Sequence, residues 1–165
     1  MQLYIVRHGP AGNAGEWAGP DSDRPLTRHG KQVVLRVAQR LADLGLEVDA
    51  IITSPYVRAR QTAEILARTL HRADQLETDA RLAAGFGIAD LMSLLADYSE
   101  VSALVIVGHE PDLGQAICNL VGAERLKMKK GAVALVDVPD PHTARGQLQW
   151  VAPPAVLAGH GPVLE

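Results

Sequence analysis

Leu3-Tyr4-Ile5-Val6-Arg7-His8-Gly9 begins as an unbroken apolar run and stops on a cation, an imidazole and a glycine. Apolar residues without polar alternation, β-branched and aromatic among them, predict a short strand buried on both faces, as in a parallel sheet. Ala103-Leu104-Val105-Ile106-Val107 repeats the arrangement far downstream and ends in Gly108-His109-Glu110. A strand that ends on Arg-His-Gly brings positive charge, a titratable ring and a permissive backbone to one point on a sheet edge. That combination suits the capture of a phosphoryl group.

Outward from these two strands, the pattern alternates. Residues 9 to 25 are rich in glycine, proline and aspartate and predict a long loop, which in a compact domain is usually functional. Thr27 is a candidate N-cap for a helix carrying Val34, Val37, Leu41 and Leu44 on one face, with Gly45 as its stop. Asp49 to Thr53 reads as the second strand. Ser54-Pro55 then reads as a helix start, serine capping and proline in the first position. Ala59, Ala63, Leu66 and Leu70 form the buried stripe of that helix.

Gln75 to Thr78 is a candidate third strand. Leu91, Leu94, Leu95 and Tyr98 mark a helix, as do Leu113, Ala116, Ile117 and Leu120 after Pro111. Ala132 to Val138 and Gln147 to Val151 read as two late strands, antiparallel at an edge. The Pro- and Gly-rich last dozen residues are expected to wrap the surface. Alternating strands and helices predict a three-layer α/β fold, a mostly parallel central sheet with helices on both faces. With no internal repeat and no low-complexity linker, residues 1–165 are expected to form one domain.

Composition narrows the function classes. The chain has 165 residues, 47% hydrophobic and 21% charged, which is globular composition. Its formal net charge of −3 opposes non-specific nucleic-acid binding, which needs a basic footprint. No stretch approaches the roughly 20 apolar residues of a membrane helix, and the start lacks the charged n-region of a signal peptide. With Cys118 as the one cysteine, no internal disulfide can form, so a reduced, cytoplasmic setting is expected.

In open α/β sheets, ligands bind beyond the carboxyl ends of the strands. If the strands ending at Arg7 and Val107 are neighbours, His8 and His109 face one crevice. Arg58, in the first turns of the helix after Thr53, lies at the same edge, where a helix N-terminus favours anions. A neutral imidazole can attack phosphorus. Nearby arginines disfavour its charged form, so a lowered pKa is expected for His8. A backbone carbonyl on Nδ1–H would leave Nε2 free to attack. Arg7, Arg58 and a protonated His109 would hold the phosphoryl oxygens. Such chemistry needs alignment and charge stabilisation more than a metal. No metal site and no cofactor are expected.

Arg7-His8-Gly9, Ser54-Pro55-x-x-Arg58-Ala59-x-Gln61-Thr62 and Gly108-His109 together resemble the histidine phosphatase superfamily, whose phosphoglycerate mutase members share the fold. Arg24-Pro25-Leu26-Thr27-x-x-Gly30 is similar to the segment after the first strand in SixA-type phosphohistidine phosphatases. The likeness runs from Met1 to about Ala155. It implies a phosphoglycerate mutase-like fold, with His8 as nucleophile, Arg7 and Arg58 binding phosphate and His109 completing the pocket. Arg24 is a further phosphate-contact candidate from the loop.

One departure bears on substrate. Phosphomonoesterase and mutase members carry a carboxylate after the third strand to protonate an oxygen leaving group. Arg81-Leu82-Ala83-Ala84-Gly85-Phe86-Gly87 holds none. Glu77, Asp79 and Glu110 remain as candidate acids. A P–N bond has a good leaving group once its imidazole is protonated, so a strong acid is dispensable there. The expected substrate is therefore phosphohistidine in a phosphotransfer or phosphocarrier protein. A small-molecule phosphomonoesterase and a non-catalytic phosphate-binding module are the alternatives.

Other polar residues have plainer readings. Arg60 is a solvated charge. His29, His71, His142 and His160 lack a strand-end context, and Cys118 falls in a core pattern. Gly9, Gly12 and Gly15 are not followed by the Gly-Lys-Ser/Thr of a P-loop. Lys127, Lys129 and Lys130, near Arg125, read as a solvated turn, with a docking patch for an acidic partner as the sharper alternative.

Overall fold

Leu3 and Ile5 pack into one apolar layer, Tyr4 and Val6 into another, and all four are buried. This is the environment of a strand covered on both faces. The computed structural model describes residues 1–159. Gln2–Arg7 is β1, followed by α1 (Arg28–Asp43), β2 (Ala50–Thr53), α2 (Val57–Thr69), β3 (Leu76–Thr78) and α3 (Ile88–Asp97). Then come β4 (Ala103–Gly108), α4 (Asp112–Val121), β5 (Val133–Asp137), β6 (Gln147–Ala152) and the short α5 (Pro154–Leu157).

The strands form one sheet in the order β3-β2-β4-β1-β5-β6. The first four are mutually parallel; β5 runs antiparallel to β1, and β6 to β5. The late pair thus closes one edge through β6, while β5 lies inside against β1. Val37, Ala38 and Leu41 of α1 and Ala59, Ala63 and Leu66 of α2 cover one face. Leu91, Leu94 and Leu95 of α3 and Leu113, Ile117 and Leu120 of α4 cover the other. The fold is three-layer α/β, as the alternating pattern predicts.

Two local expectations are corrected. Leu44 is 58% exposed, because α1 ends at Asp43 and the chain turns away through Gly45 at φ 75°. Ser54 and Pro55 do not start α2: its first residue is Val57 and Tyr56 stands at the cap. Ser54 Oγ instead approaches the ring of His109 and accepts from Tyr56 N, so the serine is held by the site and not by a helix end.

The long loop is built. It contains 3-10 turns at Ala14–Glu16 and Asp21–Asp23, and Ala11 bridges Leu26. Thr27 caps α1, its Oγ1 accepting from Gly30 N at 2.9 Å. Gly30 packs against the carbonyl of Pro10, where a Cβ would collide with backbone. That close approach presses the loop onto the start of α1. The described end of the Pro- and Gly-rich tail packs through Leu157 on the α1 side; residues 160–165, with His160, lie outside the described residues.

Candidate active site

Register brings the histidines together. Arg7 pairs with Gly108 in the parallel β1–β4 ladder, so the chain leaves both strands in step and the next residues are His8 and His109. His8 N donates to Gly108 O at 3.1 Å, and the two rings lie 5.3 Å apart between centroids. Both are buried, His8 5% and His109 2% exposed.

His8 has the tautomer a nucleophile needs. Its Nδ1 lies 2.8 Å from Gly9 O, a carbonyl that can only accept a hydrogen bond, so Nδ1 carries the hydrogen. Nε2 is then the free lone pair, and Arg58 Nε donates to it at 3.3 Å. Burial pushes the His8 pKa down to about 3; the Gly9 hydrogen bond opposes this, and His109, Arg58 and Arg7 add to it. The lowered value follows the expectation, but loss of solvent leads and the arginines come after it.

Arg58, the second residue of α2, is buried and doubly held. It donates from one terminal nitrogen to Asp21 O at 2.6 Å and from the other to Asp21 Oδ2 at 2.9 Å. The same carboxylate takes Arg24 Nε on Oδ1 at 2.8 Å, and Arg24 also donates to Gly12 O. Asp21 therefore links Arg24 to Arg58 and draws the loop over the start of α2. Its own pKa falls below the usual carboxylate range, through the Arg24 hydrogen bond above all. Arg24 enters the site through Asp21.

The rest of the Ser-Pro-to-Thr motif acts as scaffold. Thr62 Oγ1 accepts from Gly9 N at 3.1 Å and donates to Arg58 O at 2.8 Å, which fixes the backbone at Arg58 and next to His8. Gln61 Oε1 accepts from Leu26 N at 2.9 Å. Arg7 donates to Met128 O at 2.7 Å, leaving its buried Nε without a partner among the described residues.

His109 Nε2 lies 2.7 Å from Ser54 Oγ, and its buried Nδ1 has no partner among the described residues. Burial, then Arg58, pushes its pKa down to about 4, partly opposed by Asp21. That lowering works against the protonated His109 expected from the sequence, so a positive charge on this ring needs an anion beside it. The Tyr56 ring packs 4.8 Å from His109, and the Arg58 guanidinium lies 5.1 Å from the centre of the same ring.

The candidate acids are engaged elsewhere. Glu77 accepts from Tyr98 OH, Asp79 pairs with Arg81, and Glu110 Oε1 accepts from Met128 N. The Arg81 hydrogen bonds hold Asp79 below the carboxylate range, which makes it a poor proton donor. Arg60, His29, His71 and His142 are exposed and Cys118 is buried. A cavity of about 630 Å³ is lined by Tyr4, Leu41, Leu135 and Trp150 and includes none of the site residues. Convergent polar chemistry, not size, marks the site.

Sequence reasoning named Arg7, His8, Arg58, His109 and Arg24 but missed Asp21, Ser54 and Tyr56. Asp21 precedes Arg24 by three residues in the functional loop, which is a legible signal for a partner. Ser54 follows β2 directly, at the carboxyl edge where ligands bind.

The model of the Histidine phosphatase superfamily (branch 1) matches residues 3–92. The chain belongs to the histidine phosphatase superfamily. An uncharacterized protein of Picosynechococcus sp. is 39% identical over 138 residues, covering 81% of this chain and 82% of that protein. Phosphohistidine phosphatase SixA of Escherichia coli K12 is 28% identical over 162 residues, covering 95% of this histidine phosphatase and 96% of SixA. The structure of SixA complexed with tungstate superposes with a TM-score of 0.85 at 27% identity, over 94% of this chain and 98% of that one. This end-to-end likeness makes the histidine phosphatase a phosphoryl hydrolase with a phosphoglycerate mutase-like fold. Among its described residues no helix is long and apolar enough to cross a membrane.

Proposed function

We propose that this histidine phosphatase removes the phosphoryl group from a protein phosphohistidine through a covalent intermediate on His8. The observation that carries the reading is the buried imidazole of His8, with Gly9 O on Nδ1 and Arg58 Nε against Nε2, an arrangement that favours its neutral form. Nε2 attacks phosphorus as the P–N bond of a substrate already protonated on its other ring nitrogen breaks, so the departing imidazole leaves neutral, taking the bonding electron pair. The His8 ring becomes cationic as Nε2 bonds phosphorus, and Gly9 O stabilises the Nδ1–H that carries this charge. Water then attacks the phosphohistidine, releasing inorganic phosphate and neutral His8.

Arg58 and Arg7 supply the charge that holds the phosphoryl oxygens. An incoming dianion raises the proton affinity of His109, which becomes a donor only when substrate is present. Glu77, Asp79 and Glu110 are all occupied, so no carboxylic acid is assigned to the leaving group. That favours a P–N over a P–O bond, since an alkoxide needs a proton more than an imidazole does. The reaction requires no metal and no cofactor, and a cytoplasmic phosphotransfer protein is the partner it fits.

Turnover on a phosphohistidine peptide against p-nitrophenyl phosphate, with mapping of the radiolabelled intermediate after a denaturing quench, tests the reading. The expected result is preference for the peptide and label on His8. Label on another residue overturns the nucleophile, and preference for the aryl ester overturns the substrate class.

A further inference from the structure

The segment between Gly122 and Gly131 carries four cations, Arg125, Lys127, Lys129 and Lys130, against one carboxylate, Glu124. In a chain of formal net charge −3 this is a local reversal of sign. All four cations are exposed, and among the described residues none makes an ion pair.

The segment is bolted to the catalytic strand. Met128, in its middle, is 1% exposed and its two peptide groups are both taken: Arg7 donates to its carbonyl at 2.7 Å, and its N–H donates to Glu110 Oε1 at 3.0 Å. Gly131 N lies 3.1 Å from Arg7 O and 3.0 Å from His8 O, and Ala132 N donates to Lys129 O at 2.9 Å. Lys127 and Lys129 therefore flank the residue that Arg7 grips, and Lys130 adjoins the residue bonded to the His8 backbone. The backbone that carries these lysines is thus held against Arg7 and His8, which puts a basic segment next to the pocket. On the loop side of the pocket, by contrast, Arg24 and Arg58 are already paired with Asp21.

His8 is buried, so a phosphohistidine on a protein reaches it only when the surface around that residue comes up against this segment. Charges on such a segment act within a Debye length, about 8 Å at physiological salt. They steer association and select partners by complementary sign. We propose that Arg125, Lys127, Lys129 and Lys130 are the docking surface for the substrate protein and recognise carboxylates flanking its phosphohistidine. This rests on the phosphohistidine reading above.

Three probes test it: free phosphohistidine, a phosphohistidine peptide with Asp and Glu on both sides, and a peptide of equal length with Ser and Gln there. Wild type is expected to favour the acidic peptide in kcat/KM by about tenfold at low salt, with the preference shrinking as salt rises. The K127E/K129E/K130E variant is expected to lose that preference while hydrolysing free phosphohistidine at the wild-type rate. If wild type hydrolyses both peptides equally, or the variant loses all three substrates alike, docking falls and the phosphohistidine reading stands. If wild type hydrolyses none of the three but does cleave p-nitrophenyl phosphate, both fall.

Discussion

Arg58 Nε donates to His8 Nε2 across 3.3 Å, so the guanidinium proposed to grip a phosphoryl group touches the nitrogen proposed to attack it. The contact keeps Nε2 unprotonated and aims it at the spot where Arg58 concentrates positive charge. Neither residue could do this alone. In the proposed reaction a buried imidazole without Arg58 keeps only Arg7 to hold the phosphoryl group, and the arginines without a neutral imidazole only bind.

Replacing the proposed nucleophile separates the two roles. H8A should lose turnover by at least about 10⁴-fold, while oxyanion binding survives in part through Arg7 and Arg58. Steady-state kinetics and calorimetry with tungstate check this. Residual turnover above about one per cent of wild type removes His8 from the chemistry.

Lysine does not replace Arg58. It carries the charge but cannot hold the backbone carbonyl and Oδ2 of Asp21 and face His8 with a third N–H. R58K should lower kcat/KM by about 10²-fold, mostly in kcat, because a misaligned phosphoryl group is still bound. A lysine variant within threefold of wild type contradicts the positioning argument.

Asp21 is a positioning residue, acting through two arginines. D21N should lower kcat/KM about tenfold as Arg58 and Arg24 lose their shared partner. The carboxylate is 51% exposed, so the pair adds little to stability, under about 1 kcal/mol, and melting should barely move. Kinetics with an unchanged thermal transition supports the role; a large loss of stability makes Asp21 structural, and restoration of rate by D21E strengthens the carboxylate's part.

The two buried histidines make stability pH-dependent. His8, down at about 3, and His109, down at about 4, are neutral in the folded protein where an ordinary histidine at 6.5 is charged. Between those values the unfolded chain binds more protons, so stability is whole above 6.5 and is lost as pH falls. The slope is up to about 1.4 kcal/mol per pH unit for each histidine. Asp21 and Asp79, both held low, stay ionised through the upper part of the window. Urea unfolding between pH 7 and about 5 should show this slope, and H8A should reduce it. A stability that rises on acidification has the wrong sign for buried neutral rings.

Ser54 keeps His109 in place. S54A removes a partner from a buried ring nitrogen, which should cost about 1–3 kcal/mol in unfolding free energy. Activity should fall with it as the ring loses its orientation. If stability is unchanged, the 2.7 Å contact is not a hydrogen bond of consequence.

Much of this molecule was legible in one dimension. Leu3 to Val6 and Ala103 to Val107 declare buried parallel strands because apolar residues without alternation satisfy only a sheet covered on both sides. The Thr27 cap and the Ala59, Ala63, Leu66 stripe declare helices for equally local reasons. Polar residues on those elements' ends then mark the sheet edge where chemistry belongs. Ser54 misled because serine before proline satisfies a local capping rule, and the competing partner, His109, is distant in sequence.

The sequence by itself determined which residue types stand at strand ends and helix starts, since dihedral preference and apolar periodicity act over a few neighbours. Only the tertiary structure decided that β1 and β4 are adjacent and in step, that Asp21 ties Arg24 to Arg58, and that Met128 anchors a basic segment beside His8. Those relations depend on strand order and on which buried polar group finds which partner. Both are settled by global packing and desolvation, which no local pattern records.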